Sequence, residues 1–379
     1  MNRLLSRTLI VLLGLGLVLV VLADILGFLS RGRGPVVRSR YDCLIMRSLS
    51  GKEDVVSSSG FPAYQSAQEA LEGVKSMTPA AAREAQLLGT QVRIAAYDMD
   101  MDRAEAAVAA GLDRIAQLSA KLNIFDPDSA VSRINRTAHR EPVEIDEDVA
   151  RLLRLSLRVA SLSDGAFDVT VGPLTSLWRR YRHEGKLPPV EEVARARDLV
   201  GYRKIEWTDA SAVRFTREGM SLDFGGIAKG FAADEAAVVL WQHGVRSAII
   251  DCGGDLKLIG SRPGGRPFRV GVDEPRLDDP SRLRFVLSLS NMSVVTSGNY
   301  RQFTMINGKC YSHIIDPRTG QSIEALPSVT VIGPDSGMCD ALATAISVLG
   351  EEEGLKLIEK VNAESAGEKG SDPFARKGG

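Results

Sequence analysis

The stretch SLDFGGIAKG, Ser221–Gly230, joins an alternating apolar run to two adjacent glycines and a lysine. The run Met220–Phe224 predicts a short strand, and the residues after Gly226 predict the start of a helix. Because glycine has no Cβ, Gly225 and Gly226 let the backbone approach a ligand closely. Backbone N–H groups at a helix N-terminus attract phosphate, and Lys229 lies one turn inside the predicted helix. The stretch therefore predicts a phosphate site, with a tight turn and a solvent-facing lysine as the alternative.

The regions on either side of this stretch mix hairpins with helices. Ile205–Trp207 and Val213–Phe215 predict a hairpin before it, and Ser247–Cys252 predicts a buried strand after it. Asn307-Gly308 between two apolar runs is a strong hairpin signal. Helical periodicity predicts helices over Asp102–Leu122 and Asp146–Ser163. This mixture predicts an α+β fold and not a regular βαβ succession.

Composition places the chain among ordinary globular proteins. It has 379 residues, 25% of them charged, and a formal net charge of -1 at pH 7. A chain of this length can bury a sizeable core. No basic face interleaved with aromatic residues is present, which argues against nucleic-acid binding. The cysteines are not at metal-ligand spacing, and Cys252 and Cys339 are predicted to be small buried residues.

The N-terminus differs from the rest of the chain. Arg3 and Arg7 precede an uncharged apolar run, Leu9–Ala23, which is long for a signal-peptide core and short for a membrane span. The run extends to Leu29 if Asp24 is tolerated near the interface. Two interpretations stay open: a signal cleaved after Ala23, or an uncleaved anchor, which we favour. Either one places the body of the protein on the extracytoplasmic side.

These observations divide the chain into segments. We predict an export signal or membrane anchor at 1–29, a linker at 30–84, a folded domain at 85–363 and a disordered tail at 364–379. The tail is rich in glycine, lysine and glutamate, a composition typical of disorder.

A glycine-flanked apolar loop, Asp164–Leu174, carries one carboxylate in its middle. One interpretation is a joint between two helices. The other is a ligand wall, in which Phe167 packs against a ring and Asp168 bonds a polar edge.

The segment Tyr311–Gly320 predicts a strand that ends in a polar turn. On a strand, His313 and Ile315 would face one side and Ile314 the other. A single strand histidine is more often structural than catalytic, but the glycine-bearing turn makes His313 a candidate base.

Asp340 and Thr344 are four positions apart on a predicted helix, so their oxygens fall on one face. Carboxylate, hydroxyl and carbonyl oxygens are ligands that suit Mg²⁺. The alternative is an aspartate that favours the helix dipole and a threonine that bonds its own backbone.

Taken together, these motifs resemble one family. The segments are Leu88-Gly89-Thr90, GAFDVTVGPL (165–174), LDFGGIAKGFAAD (222–234), CGGD (252–255), TSGNY (296–300), SHIIDPRTG (312–320) and VTVIGPDSGMCDALATA (329–345). In this order they resemble the ApbE family, the FAD:protein FMN transferases, over roughly Ala85 to Val361.

The resemblance implies an exported enzyme with a two-lobed α+β fold and a flavin cleft between the lobes. Members of the family use Mg²⁺ to cleave FAD and move FMN onto a threonine or serine hydroxyl of an acceptor flavoprotein, and AMP leaves. The acceptors are subunits of membrane or exported redox complexes, at the periplasmic side of the bacterial inner membrane.

The resemblance also assigns roles to residues of this chain. It implies that Asp340, Thr344 and the Gly226 carbonyl bind Mg²⁺, and that His313 activates the acceptor hydroxyl. The residues that it implies for the FAD site are Leu88, Phe125, Ala166, Phe167, Asp168, Asp223, Lys229 and Ile315.

The chain departs from the family pattern at a few positions. Many relatives have methionine at the position of Leu88 and tyrosine at the position of Phe125, so a hydroxyl contact is expected to be missing here. Many are lipoproteins, whereas no cysteine follows the apolar run closely, since Cys43 lies well past it. The resemblance therefore does not extend to anchoring through a lipid on an N-terminal cysteine.

Two other functions compete with the transferase. In an FAD pyrophosphatase, water would replace the acceptor hydroxyl and free FMN would form. A flavin-binding protein without turnover would bind FAD and release no AMP. The presence of Asp340, Thr344 and His313 argues against the second of these.

Overall fold

A computed structural model describes residues 8–13, 20–21, 43–47, 78–273, 283–298, 303–323 and 328–367. Most of the predicted signal and linker, and the last residues of the predicted tail, lie outside these ranges. Within the described residues, none of the helices combines the length and the apolar character that crossing a bilayer requires.

Eight helices are described. They are α1 Met101–Leu122, α2 Ala130–Thr137, α3 Glu147–Leu162, α4 Gly172–His183, α5 Val190–Asp198, α6 Ala228–Gln242, α7 Ser336–Leu349 and α8 Glu351–Gly367. A short 3₁₀ turn covers Tyr202–Lys204.

The strands, in chain order, are β1 Thr8–Leu13, β2 Val20–Val21, β3 Cys43–Arg47, β4 Ala81–Leu87, β5 Thr90–Ala96, β6 Val143–Glu144, β7 Ile205–Trp207, β8 Ala212–Phe215, β9 Ala248–Cys252, β10 Asp255–Ile259, β11 Phe268–Asp273, β12 Leu283–Leu289, β13 Ser293–Gly298, β14 Phe303–Ile306, β15 Lys309–Ser312 and β16 Ser328–Gly333.

One mixed sheet organises the molecule. Its nine strands run in the order β2-β3-β1-β16-β13-β10-β9-β5-β4 among the described residues, with β1 parallel to β16 and β2 parallel to β3. The smaller sheets are β11-β12, β14-β15 and β6-β8-β7. Hairpins and helices are thus combined in one chain, and the predicted α+β class is confirmed.

The central strands of the large sheet are covered on both faces. On β5, Val92 and Ile94 point to the helices, whereas Ala95 packs with the β11-β12 hairpin on the opposite face. This alternation follows from the two-residue repeat of a strand. Helices α6 and α7 lie against the first face and are buried on nearly all sides.

Local capping fixes where several helices begin. Asp100 accepts a hydrogen bond from the Arg103 N–H at the start of α1, and Ser129 accepts one from Ser132 at the start of α2. Asp146 does the same at α3. Such side chains satisfy N–H groups that have no partner inside the helix, which explains why the predicted helices begin where they do.

The predicted strand Met220–Phe224 is wrong. Its apolar residues are buried in alternation, but the backbone pairs only in an isolated bridge between Ser221 and Val171. The Asn135 side chain takes the place of a neighbouring strand, because its amide accepts from the Leu222 N–H at 2.7 Å and donates to the Leu222 carbonyl at 3.1 Å.

The structure also differs from the predicted segments at both ends. Strand β4 begins at Ala81, inside the predicted linker, and α8 continues to Gly367, inside the predicted tail. Strands β1 and β2 fall within the predicted signal. The pairing of β1 with β16 and of β2 with β3 does not test export, and the membrane anchor stays a prediction.

Candidate functional site

A cleft of about 1090 Å³ lies where the large sheet, α1, α4, α6 and α7 meet. All the residues nominated from the sequence line it: Leu88, Phe125, Ala166, Phe167, Asp168, Asp223, Gly226, Lys229, His313, Ile315, Asp340 and Thr344. Their positions span most of the described domain, so the fold brings together groups that are far apart in the chain.

The turn before α6 is closed by its own hydrogen bonds. The Gly225 N–H donates to Asp223 at 2.9 Å, and the Ile227 and Ala228 N–H groups both donate to the Phe224 carbonyl. These donors are therefore engaged inside the protein. The sequence predicted a phosphate site made of outward-facing N–H groups, and this is wrong for the N–H groups of Gly225, Ile227 and Ala228.

Asp223 itself is held by a second contact. Its other carboxylate oxygen accepts a hydrogen bond from the Thr175 hydroxyl on α4 at 2.8 Å. The Arg179 guanidinium lies 3.8 Å from the same oxygen. Asp223 thus ties the glycine turn to α4 at the wall of the cleft.

A set of hard oxygen atoms faces the cleft between α6 and α7. The Thr344 hydroxyl lies 3.5 Å from the Gly226 carbonyl oxygen. Asp340, one helical turn away from Thr344, is 2% exposed and accepts a hydrogen bond from the Gly230 N–H at 3.1 Å. An ideal Cβ on Gly226 would lie 3.0 Å from the Thr344 hydroxyl, so glycine keeps the carbonyl and hydroxyl close.

These oxygens fit the donor preference of Mg²⁺, which takes few carboxylates and keeps water or phosphate oxygens as further ligands. Among the residues that the structure describes, no cluster of three or more His, Cys, Asp or Glu side chains is placed to bind a metal. The Gly226–Asp340–Thr344 set contains a single carboxylate and would need ligands from the substrate.

Lys229 does not project freely into the cleft. Its ammonium group pairs with Asp255 and lies 3.5 Å from Asp340. Burial alone would lower the pKa of Lys229, but Asp340 and Asp255 together raise it above its ordinary value, so the side chain stays charged. Burial raises the pKa of Asp340 to about 6, although the nearby ammonium opposes that rise.

The loop after α3 forms another wall. Phe167 is buried, and its N–H donates to the Ser163 hydroxyl at 3.1 Å. Asp168 accepts from the N–H and hydroxyl of Thr170 at 2.8 and 2.7 Å and from the Tyr202 N–H at 2.7 Å. Both carboxylate oxygens therefore hold the loop in shape, and a contact between Asp168 and a ligand stays a prediction.

The mouth of the cleft carries an exposed ring. Phe125 is 71% exposed, and the Arg179 guanidinium lies 4.8 Å from its ring centroid. Leu88 sits in the β4–β5 turn at a φ of 52°, a conformation that strains a residue with a Cβ. Its N–H donates to the Ser119 hydroxyl at 3.0 Å.

The predicted strand geometry around His313 is wrong. Strand β15 ends at Ser312, whose hydroxyl accepts from the Ile314 N–H at 3.0 Å and turns the chain. As a result Ile314 and Ile315 are both buried, whereas His313 is exposed at the cleft. Ile315 packs with Leu174 and Trp178 below the site.

Two groups at the site were not identified from the sequence. Asp255, 3% exposed, pairs with Lys229, and the CGGD motif that contains it was a usable signal. Arg182 lines the cleft from α4, where it follows Trp178 by one helical turn. A charged residue in the last turn of a helix is common, so its role could not be inferred without the fold.

Comparison with known proteins agrees with this geometry. The profile of the ApbE family matches residues 88–366. The FAD:protein FMN transferase of Haemophilus influenzae is 34% identical over 256 residues, which cover 65% of this chain and 74% of that protein. The FAD:protein FMN transferase of Escherichia coli K12 is 30% identical over 286 residues, covering 73% of this chain and 80% of the relative.

Solved structures show the same fold. The crystal structure of the ApbE protein from Thermotoga maritima has a TM-score of 0.65 and 31% identity, and the match covers 75% of this chain and 91% of that one. The flavin transferase ApbE of Vibrio cholerae also has a TM-score of 0.65, with 27% identity over 74% of this chain and 90% of that one. Since the profile spans the cleft and nearly all of the described domain, this chain belongs to the ApbE family.

Proposed function

We propose that this chain is an FAD:protein FMN transferase that moves FMN from FAD to a threonine or serine hydroxyl of an acceptor flavoprotein and releases AMP. The observation that carries the proposal is the single cleft in which His313, Lys229 and the Gly226–Asp340–Thr344 oxygens converge. The names of the relatives support the same activity.

In the proposed reaction, the acceptor oxygen bonds to the phosphorus of the FMN half of FAD. The phosphorus–oxygen bond to the AMP half breaks, and AMP leaves with the bridging oxygen. His313, as a neutral imidazole, takes the proton of the attacking hydroxyl. A positioned base of this kind contributes roughly 10²–10⁴-fold to such a step.

Charge neutralisation is the other requirement for cleaving a pyrophosphate. We assign Asp340, Thr344 and the Gly226 carbonyl as the protein ligands of Mg²⁺, which when bound would neutralise charge on the phosphate oxygens. Lys229 adds a fixed cation at the same wall. Phe125, Phe167 and Ile315 offer apolar surface to an isoalloxazine ring.

The proposal extends to the compartment and the partner. The apolar run Leu9–Ala23, with Arg3 and Arg7 before it, supports export and anchoring at the periplasmic face of the bacterial inner membrane. A redox-complex subunit at that face would be the acceptor.

For the residues of β1, pairing with β16 and insertion into a bilayer exclude each other. Cell fractionation with N-terminal sequencing distinguishes a retained anchor, a signal cleaved after Ala23 and a soluble uncleaved chain.

The activity is tested by incubating the full chain with FAD, Mg²⁺ and a threonine-bearing acceptor domain. We expect in-gel flavin fluorescence on the acceptor and an equal amount of AMP. Free FMN and AMP without a labelled acceptor would indicate a pyrophosphatase. Bound FAD with no AMP under any of these conditions would indicate a flavin carrier and contradict the proposal.

A further inference from the structure

The turn that carries His313 is fastened to helix α4 at both of its ends. At one end, the Arg182 guanidinium donates to the Ser312 carbonyl, immediately before His313. At the other end, the Trp178 indole N–H donates to the Gly320 carbonyl at 2.8 Å. Arg182 and Trp178 are one helical turn apart, and the guanidinium lies 5.4 Å from the Trp178 ring centroid.

Between these two fastenings the turn is internally braced. The Gly320 N–H donates to the Asp316 carbonyl at 2.8 Å, and the Arg318 side chain bonds both oxygens of the Asp316 carboxylate at 3.0 Å. The Ser322 hydroxyl also donates to the Ser312 carbonyl at 2.8 Å. A turn braced in this way moves as one unit, so its attachment to α4 sets the position of His313 relative to the cleft.

The two fastenings differ in kind. Trp178 is buried, and its ring belongs to an apolar cluster with Leu174 and Ile315, so it would be retained for packing alone. Arg182 is half-buried and lines the cleft, and no carboxylate within the described residues pairs with it. Burial, and to a smaller extent Arg179, lower its pKa to about 10. A partly desolvated cation without a counter-charge adds little to the stability of the fold. Stability alone therefore does not account for Arg182, and its main polar contact is the hydrogen bond to the Ser312 carbonyl.

We infer that Arg182 is a positioning residue for His313: it holds the Ser312 carbonyl, and so places the imidazole where the acceptor hydroxyl arrives. This inference rests on the proposed role of His313 as the base. It requires that Arg182 act on transfer through His313 and not through FAD.

The test is a double-mutant cycle in the full chain, with Arg182→Met, His313→Ala and the double variant. The rate of flavin transfer to the acceptor is measured at saturating FAD and Mg²⁺, and the FAD dissociation constant is measured by flavin fluorescence. We expect Arg182→Met to slow transfer about 10- to 100-fold, the range expected for a small misplacement of a catalytic group. The FAD dissociation constant should change less than about twofold. In the His313→Ala background, Arg182→Met should have no further effect.

Matched variants separate positioning from general damage. Arg182→Lys keeps the charge and one donor, so it should recover part of the rate and serves in the cycle if Arg182→Met fails to fold. Arg180 lies on α4 two positions before Arg182 and forms an ion pair with Glu192 on α5. Arg180→Met removes that ion pair and should leave the transfer rate unchanged.

The outcomes are distinguishable. If Arg182→Met slows the His313→Ala variant by the same factor as the parent, Arg182 acts independently of His313 and the inference is overturned. Weaker FAD binding with an unchanged rate at saturation would make Arg182 an FAD contact and overturn it as well. If His313→Ala alone leaves transfer unchanged, the base assignment in the proposed function is what fails.

Discussion

Asp340 has two neighbours that bear on its use as a metal ligand, the Gly230 N–H and the Lys229 ammonium. The sequence suggests a ligand that can be removed without affecting the fold. The structure shows a carboxylate 2% exposed that also satisfies a backbone donor and balances a buried cation. Removing it therefore has a structural cost as well as a catalytic one.

For this reason Asp340→Asn is the informative substitution, since an amide oxygen can still accept from Gly230. We expect Mg²⁺-dependent AMP release to fall at least about 100-fold, because a neutral amide binds Mg²⁺ poorly. The raised pKa of Asp340 shows that folding disfavours its charged form, and Lys229 keeps its pair with Asp255, so the neutral amide should not lower the melting temperature. Asp340→Ala should be less stable than Asp340→Asn. AMP release close to that of the parent chain in Asp340→Asn would remove the metal assignment.

Sequence reasoning located single residues at the cleft where the residue type limited the chemistry, and their roles there stay predictions. A lone histidine next to a polar turn and an i, i+4 pair of oxygens were both located at the cleft. The predictions failed where the local backbone conformation determines which way a side chain faces. Ser312 turns the chain, so that Ile315, expected to share a face with His313, is buried while His313 is exposed. Both carboxylate oxygens of Asp168 accept hydrogen bonds from Thr170 and Tyr202 inside the loop.

At the scale of elements, the site depends on how closely α6 approaches α7. An ideal Cβ on Gly230 would lie well inside contact distance of the Ser336 carbonyl oxygen and 2.9 Å from the Asp340 Cβ. The helices can therefore pack at this distance only with glycine at position 230. The same contact sets Asp340 against the start of α6.

We expect Gly230→Ala to cost about 2–3 kcal/mol of unfolding free energy, because the obstructing atoms belong to the backbone of α7. Gly111→Ala in α1 is the matched control, since there the new methyl group meets the ends of the Leu240 and Ile94 side chains, which can move. Urea denaturation of both variants checks this. Equal losses at the two positions would show that the α6–α7 distance is not fixed by Gly230.

Element boundaries were predictable where the chain carries a local signal. Asp100, Ser129 and Asp146 cap their helices, and Asn307-Gly308 makes the β14–β15 hairpin. Strand β4, with its AAREAQL sequence, favours a helix locally, and only its pairing with β5 makes it a strand. The contact of Asn135 with Leu222 joins positions 87 apart, and no local pattern could reveal it.

At the scale of the whole molecule, one charge network joins helices α1, α3 and α6 through side chains that do not line the cleft. Arg114 on α1 lies 2.5 Å from both Asp148 on α3 and Glu235 on α6, and Arg151 also pairs with Glu235. Lys121 adds a second cation 2.6 Å from Asp148. The bond from Arg114, opposed by burial and reinforced by Lys121, holds the pKa of Asp148 well below its usual range.

This shift predicts how stability depends on pH. A carboxyl group whose pKa is lowered by folding stabilises the protein above its unfolded pKa, near 3.9, and loses that contribution as the pH falls through the lower folded pKa. Asp148→Asn should therefore cost roughly 1–3 kcal/mol at pH 7, and the difference from the parent should shrink below about pH 4. Asp128→Asn, at an exposed carboxylate, is the control. A difference that stays constant from pH 7 to pH 2.5 would contradict this assignment.

The Gly226–Thr344 contact also bears on how the protein is charged with flavin in a cell. It joins positions 118 residues apart, and its second member lies on the next-to-last helix of the described chain. A nascent chain on the ribosome therefore lacks this wall of the cleft until Thr344 and the rest of α7 have been translated. A cleft with this wall in place forms only after α7 has been made and has packed. If the chain is exported as proposed, the supply of FAD outside the cytoplasm, where folding would end, decides how much of the protein can react.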